Sequence, residues 1–248
     1  MTGVQVRLRS VEKVFPGGVE AVSAMDLELA PGRVTALLGP TGCGKSTILR
    51  LIGGVASPTG GSIEVEPSPR IGFCFQEPRL LPWRNVRRNV ALPLELARAS
   101  SETCRLEADR RLKMVGLDDA AEFLPAALSG GMRMRAAVAR ALIADPNLLL
   151  LDEPFAALDE VTRFRLDEDL AALVRERSIT VLLVTHSIAE AVFLADEVVV
   201  LSPRPARIID RFEIPFGERN AALRSNVEYA RLQSRIYEVL LAGMGVAS

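Results

Sequence analysis

Val34-Thr35-Ala36-Leu37-Leu38-Gly39-Pro40-Thr41-Gly42-Cys43-Gly44-Lys45-Ser46-Thr47 passes from a nearly continuous apolar run, through a glycine-rich turn, into a helical pattern that continues to Ile52. An apolar run without alternation is expected of a strand buried on both faces, hence of a parallel sheet covered by helices. The turn fits G-x-x-x-x-G-K-[ST], and the strand before it and helix after it are the context that separates a phosphate loop from a chance glycine turn. Gly42 and Gly44 let the backbone close around phosphate oxygens. Lys45 is expected to reach the β and γ phosphates, and Ser46 to offer its hydroxyl to Mg²⁺.

A second glycine pair lies in Leu128-Ser129-Gly130-Gly131-Met132, ahead of a helical pattern that begins near Met132. It supplies another set of backbone N–H groups at another helix N-terminus, and both features hold anions. The phosphates of one nucleotide need one such cradle in cis. Two cradles on one chain imply that each serves a different nucleotide, so that two chains face each other.

Two further positions fit the same chemistry. Leu148-Leu149-Leu150-Leu151-Asp152-Glu153-Pro154 is an apolar strand that ends in two carboxylates. A pair of acids at a strand end is common. After a phosphate loop, Asp152 is expected to hold Mg²⁺, directly or through water, and Glu153 to polarise the attacking water beside the γ-phosphate. His186 is the only histidine and follows the strand pattern 180–184. A lone histidine is usually a surface or core residue. This one falls at the same sheet end as Asp152 and Glu153, where it is expected to sense the γ-phosphate and fix the water.

Outward from these motifs, residues 4–8 alternate and read as an edge strand, and residues 24–29 alternate again before the Pro31-Gly32 turn. Gly60-Gly61 reads as a turn before a strand at 62–65, and 71–75 as another short strand. From Asn85 to about Ala144 the β signal disappears and Leu, Ala, Arg and Glu dominate, which predicts a helical insert. Helices are expected at 160–176 and 188–194. Strands at 180–184, 198–201 and 208–212 complete the sheet, and a terminal amphipathic helix covers 223–241.

The 248 residues suffice for one large α/β domain with a helical insert. A formal net charge of −1 offers no global basic field for nucleic acid. Arginines cluster at Arg84, Arg87 and Arg88 and at Arg133, Arg135 and Arg140, and most read as solvated helix faces. Three cysteines make no disulfide framework and fit a reducing compartment. The N-terminus lacks a signal-peptide pattern, and the longest apolar runs have strand length, well short of the ~20 residues of a membrane span. A membrane role therefore calls for a partner. Cys43 lies within the phosphate loop at a helix start, where partial positive charge favours thiolate, and reads either as a thiol that nucleotide protects or as an inert small side chain.

In their order, the phosphate loop (Gly39 to Thr47), Gln76, Leu128-Ser129-Gly130-Gly131, Asp152-Glu153, Asp159 and His186 resemble the ATP-binding-cassette (ABC) ATPases over essentially the whole chain. The resemblance implies an α/β fold: a P-loop NTPase ABC ATPase core with an antiparallel β subdomain and a helical subdomain, as a single domain over 1–248 with its insert at about 85–144. It implies ATP and Mg²⁺ as cofactors. Gln76 would contact the metal or the attacking water and begin the loop that feels the transport partner. Asp159 would belong to a loop along the dimer seam. Phe15, ahead of the turn Pro16-Gly17-Gly18, would stack on adenine, with core packing as its rival role.

A narrower likeness, to ATPase subunits of importers for nitrate, sulfonate, taurine and pyrimidine precursors, rests on three segments. They are Gln76-Glu77-Pro78-Arg79-Leu80-Leu81-Pro82-Trp83, Asn89-Val90-Ala91-Leu92-Pro93-Leu94-Glu95 and Leu201-Ser202-Pro203-Arg204-Pro205-Ala206-Arg207. Such subunits pair beneath two transmembrane permease subunits on the cytoplasmic face of the cell membrane, fed indirectly by a substrate-binding protein and without nucleic acid. Ser187 and Met134 depart from the commonest family pattern of aspartate and glutamine. A soluble ABC protein of translation or repair would carry a second cassette or long coiled coils. A GTPase would need N-K-x-D. None of these is present.

Overall fold

The apolar runs become neighbours in one sheet. A computed structural model describes residues 3–66 and 68–244; the expected unit over 1–248 also includes residues 1–2, 67 and 245–248, which lie outside the described residues. The strands are β1 (Val6–Phe15), β2 (Val19–Leu29), β3 (Val34–Leu38), β4 (Gly60–Val65), β5 (Ile71–Cys74), β6 (Leu148–Asp152), β7 (Thr180–Val184), β8 (Glu197–Leu201) and β9 (Ile208–Glu213). The large sheet has the order β5-β6-β7-β3-β8-β9. Its first five strands run parallel, and β9 returns antiparallel to β8.

Strand alternation divides each apolar run between two cores. Leu37, Leu148, Leu150, Leu182, Val184 and Val199 face the hydrophobic layer shared with helix α1 (Lys45–Ile52) and the small sheet. Ala36, Leu38, Leu149, Leu151, Val181, Leu183, Val198 and Val200 face the opposite layer of helices. Burial on both sides removes any polar alternation, which is why these strands read as continuous runs. Each fully buried leucine contributes about 1.5–3 kcal/mol of transfer free energy.

The small sheet is antiparallel, in the order β2-β1-β4. β1 is therefore its central strand, and the expected edge strand at 4–8 is corrected. Both hairpin strands also extend much further than the alternating stretches predict. Register shifts interrupt the β1–β2 pairing between Leu8 and Val14, and Ser10 and Ala24 take positive φ values of 46° and 40°. Bulges of this kind break the period of two, so the sequence signal ends where the ladder does not. Gly60 and Gly61 belong to β4 itself rather than to a turn before it.

The insert consists of three separate helices, α2 (Val86–Leu96), α3 (Ser101–Met114) and α4 (Gly130–Leu142), which pack on one another. Asn85, Ser100 and Ser129 cap them by accepting from Arg88, Thr103 and Met132 backbone N–H groups. Helices α5 (Glu160–Arg177), α6 (Ile188–Leu194) and α7 (Val227–Gly243) complete the outer layer. Residues Ala221–Ser225 form a separate 3-10 turn, so the terminal helix starts four residues later than its apolar pattern indicates, behind the cap Asn226. Among the described residues, no helix is long and apolar enough to cross a membrane.

Candidate active site

The ends of adjacent parallel strands collect the chemistry. β3 delivers the phosphate loop into α1, β6 delivers Asp152 and Glu153, β7 delivers His186, and β5 delivers Gln76. An open cavity of about 300 Å³ is lined by Thr41, Gly42, Gly44, Lys45, Ser46, Thr47, Gln76, Glu153 and Arg204. Two larger hollows, of about 700 and 520 Å³, lie over the β1–β2 hairpin and Arg211. They contain surface ion pairs such as Arg7–Glu28 and no convergent set of reactive groups, so the smaller cavity is the candidate site.

Gly44 stands at the N-cap of α1 with φ +126°, and a Cβ there would lie 2.5 Å from the Ala21 carbonyl oxygen. Only glycine fits both the dihedral and the space. The helix begins without a side-chain cap, so its first N–H groups are left for an anion. Lys45 is only 5% exposed, and its Nζ donates to the carbonyls of Gly39 at 2.7 Å and Pro40 at 2.9 Å. The loop itself thus holds this cation in place. Cys43 is 1% exposed and sits in the apolar layer, with its N–H donating to the Pro40 carbonyl. Its side chain belongs to the core. The Lys45 ammonium lies 3.9 Å from the Cys43 sulfur, so burial opposes reaction while the neighbouring cation favours thiolate.

Ser46 Oγ donates to Asp152 Oδ1 at 2.9 Å. Burial pushes the Asp152 pKa up against the lowering effects of Ser46, Lys45 and Arg50. A buried carboxylate that ionises reluctantly, next to a hydroxyl oxygen, is the kind of hard-oxygen pair that a small divalent cation completes together with phosphate oxygens. Among the described residues there is no cluster of three acidic, histidine or cysteine ligands that could hold a metal without phosphates. The residues fit Mg²⁺ held jointly with a nucleotide.

Glu153 has φ +49° and donates its N–H to the Val184 carbonyl at 2.8 Å, so β6 turns sharply at the residue whose side chain enters the cavity. A non-glycine residue held in this region marks a position that its surroundings over-determine. His186 Nδ1 lies 3.4 Å and Gln76 Nε2 3.5 Å from the same oxygen, Glu153 Oε2. His186 is 59% exposed on its side chain. Its backbone is set by Thr185, which accepts from the Ser187 N–H and donates to the buried Glu190.

The second glycine cradle is formed but lies elsewhere. Ser129, Gly130 and Gly131 do not line the cavity that holds Lys45. Helix α4 starts at Gly130, earlier than Met132, because Ser129 accepts from the Met132 N–H. A Cβ on Gly131 would meet Leu158 Cδ2 at 2.8 Å, whereas one on Gly130 would meet nothing within 4 Å. Ala157 and Leu158 therefore brace this cradle from behind. Asp159 caps α5, and the Thr162 N–H it accepts lowers its pKa. Phe15 is exposed at the hairpin tip, beneath the Lys13 ammonium, and does not line the cavity.

Three positions that anchor loops around the site were given no role in the sequence reading. Asn89, completely buried, accepts from the Leu81 N–H and donates to the Leu81, Arg84 and Asn85 carbonyls, stiffening the loop that carries Trp83. Arg140 of α4 donates to the Pro78 and Arg79 carbonyls, tying the second cradle's helix to the loop after Gln76. Arg204 donates to the Gly42 carbonyl. The expectation of solvated arginine faces is corrected accordingly: Arg84 pairs with Glu95, Arg87 with Asp109 and Glu122, and Arg133 and Arg135 donate to backbone carbonyls. Only an Asn or Arg in an otherwise apolar helix face could have flagged Asn89 and Arg140.

The family model for ABC transporters matches residues 22–156. The taurine import ATP-binding protein TauB of Yersinia pestis bv. Antiqua is 43% identical over 224 residues, 86% of this chain and 88% of that protein. The protein of the same name from Pseudomonas putida is 42% identical over 224 residues, covering 88% of this chain and 86% of its own. The dimeric structure of the post-hydrolysis state of the ATP-binding cassette MJ0796 bound to ADP and Pi superposes with a TM-score of 0.80 at 31% identity, over 86% of this chain and all of that one.

Proposed function

The chain belongs to the ABC transporter family of ATP-hydrolysing subunits, and we propose that it powers import of a small solute by closing head to tail on a second copy of itself. In this reading Ser129, Gly130 and Gly131 of one copy complete the site whose phosphates rest on Gly39 to Thr47, and on Lys45 above all, of the other. Asp159 lies along the seam, and Phe15 faces adenine. Taurine import by relatives over most of the chain supports a solute of the sulfonate, nitrate or pyrimidine-precursor kind. Two permease subunits, served by a substrate-binding protein, would receive the loop after Gln76 on the cytoplasmic face of the membrane.

The observation that carries this reading is the convergence of Gln76 and His186 on one oxygen of Glu153 at the mouth of the phosphate loop. Glu153 would draw the proton of the attacking water. His186 and Gln76 would hold that carboxylate and the water in line with the γ-phosphate, since phosphoryl transfer depends on positioning and charge. Ser46 and Asp152, with Gln76 nearby, would hold Mg²⁺, which when bound neutralises charge on the β and γ oxygens. Lys45 would exchange its two carbonyl partners for phosphate oxygens.

Glu153→Gln tests the reading. The amide keeps the shape but takes no proton, and its lost charge eases closure around the γ-phosphate. The purified variant should pass from monomer to dimer in sedimentation with ATP and not with ADP, and Ser129→Arg in the same chain should abolish the shift. ATP turnover at the wild-type rate would remove Glu153 as the base. A Glu153→Gln, Ser129→Arg chain that still dimerises would remove the trans cradle.

A further inference from the structure

We propose that Arg204 is a nucleotide-binding residue that takes the α-phosphate side of the polyphosphate, opposite the hydrolytic groups. The inference rests on the nucleotide reading of the phosphate loop and assigns a second cation to it.

Arg204 lies in the β8–β9 loop and lines the phosphate-loop cavity. Its Nε and Nη2 both donate to the Gly42 carbonyl, at 3.0 and 2.7 Å. Among the described residues no carboxylate forms an ion pair with it, whereas Arg207 and Arg211 on the same hairpin bond Ser23, Glu197 and the Asp26 carbonyl. Lys45 is in the same situation, bonded to loop carbonyls and to no carboxylate. Two cations placed on backbone dipoles line the same cavity as Glu153, and among the described residues neither is neutralised by an ion pair with a carboxylate. A polyphosphate is the complementary ligand.

Sheet order selects the part of that ligand. Asp152, Glu153, His186 and Gln76 come from β6, β7 and β5, all on one flank of β3. β8, which leads to Arg204, lies on the other flank. The same loop is pinned to the Phe15 hairpin: the Ala206 N–H donates to the Ala21 carbonyl and the Ser23 N–H to the Ala206 carbonyl, at 3.0 and 3.2 Å. Ser202 Oγ accepts from the Arg207 N–H and donates within the loop, so the loop keeps its shape without the guanidinium. Arg204 thus stands between the hairpin and the phosphate loop, away from the γ-phosphate groups. A fork that gives two donors to one carbonyl has further N–H groups for an anion.

The test is affinity for Mg-ATP and Mg-ADP, by calorimetry, in the wild type, Arg204→Gln, Arg204→Lys and Lys45→Ala. Glutamine can still donate to the Gly42 carbonyl, so it preserves the loop while removing the charge. Arg204→Gln should weaken ATP and ADP equally, by roughly tenfold, the lower range for one charged hydrogen bond at an exposed position. Its ATP affinity should depend less on ionic strength, its ADP-induced rise in melting temperature should shrink, and Arg204→Lys should recover part of each. In ATPase assays KM should rise more than kcat falls. Wild-type affinity for both nucleotides in Arg204→Gln overturns the proposal, and a loss confined to ATP overturns it too by moving the contact to the γ-phosphate. A weakened affinity with unchanged ionic-strength dependence would reduce Arg204 to a loop brace. Lys45→Ala keeps the two levels apart: if it loses nucleotide while Arg204→Gln does not, Arg204 fails and the phosphate loop stands. If neither variant loses nucleotide, both fall.

Discussion

The two glycines of Ser129-Gly130-Gly131 look equivalent in sequence and differ sharply in their surroundings. Gly131 lies against Leu158 and the Ala157 carbonyl, and Gly130 faces open space at the start of α4. Gly131→Ala should therefore cost the free subunit about 1 kcal/mol or less, because the movable end of Leu158 gives way and the Ala157 carbonyl must shift only slightly. Gly130→Ala should leave the denaturation midpoint unchanged or slightly raised, because alanine favours the helix. If the open face of Gly130 receives a partner's nucleotide, the same silent variant should lose at least about tenfold in ATPase rate, equivalent to ~1.4 kcal/mol of transition-state stabilisation. Full activity in Gly130→Ala, with the midpoint unmoved, would mean that nothing docks there. Read from sequence, Lys45 and Ser46 needed only their local pattern, and Asp152 and Glu153 needed the phosphate loop as context. For Cys43 the helix-start argument sees charge, whereas its burial is visible only in the fold.

Helices α5 and α6 share a buried acidic pair, and pH should reveal it. Asp167 on α5 bonds Arg224, whose guanidinium lies 3.8 Å from the Phe164 and Phe193 ring centroids. Glu190 on α6 bonds Thr185, next to His186. Burial pushes both carboxyls up to about 7, even though Arg224 and Arg163 act to lower Asp167 and Thr185 and Arg163 act to lower Glu190; Glu168 and Glu153 add to the rise. Between the unfolded values near 4 and the folded values near 7, the folded protein keeps protons that the unfolded chain releases. Stability contributed by this pair is complete below that window and is lost as pH rises through it, at no more than about 1.4 kcal/mol per pH unit for each group. Denaturation midpoints measured from pH 4 to 8 should show this decline relative to Glu190→Gln and to Glu190→Gln with Asp167→Asn. Parallel pH curves for wild type and double variant would refute it. The helices were visible as periodic stretches, but this pairing depends on which faces meet after folding.

At the scale of the whole molecule, one unusually exposed tryptophan marks a side of the chain. Trp83 is 73% exposed on a loop fixed by Asn89 and Arg140, with the exposed Leu96 on α2, the helix that carries Asn89. An indole held out on a stiff loop costs little ordering entropy when a partner covers it. Assembly with the permease subunits should shift the single-tryptophan emission to shorter wavelength and slow its quenching by iodide. Identical spectra and quenching in free and assembled protein would place the permease contact elsewhere.

What the sequence determined alone is whatever a few consecutive residues can encode. Gly39 to Thr47 after an apolar run specifies a phosphate loop, Leu148 to Glu153 specifies a buried strand with acids at its end, and unbroken apolar runs specify a parallel sheet with both faces covered. The tertiary structure alone decided which strand ends are neighbours. The order β5-β6-β7-β3-β8 brings Gln76, Glu153 and His186 together on one flank of the loop and sets Arg204 on the other. Tertiary contacts also make β1 the central strand of the small sheet and turn Asn89 and Arg140 into loop anchors. The physical reason is range: side-chain chemistry and backbone period act over one or two turns of chain, whereas strand order and burial arise from contacts between residues tens to more than a hundred positions apart.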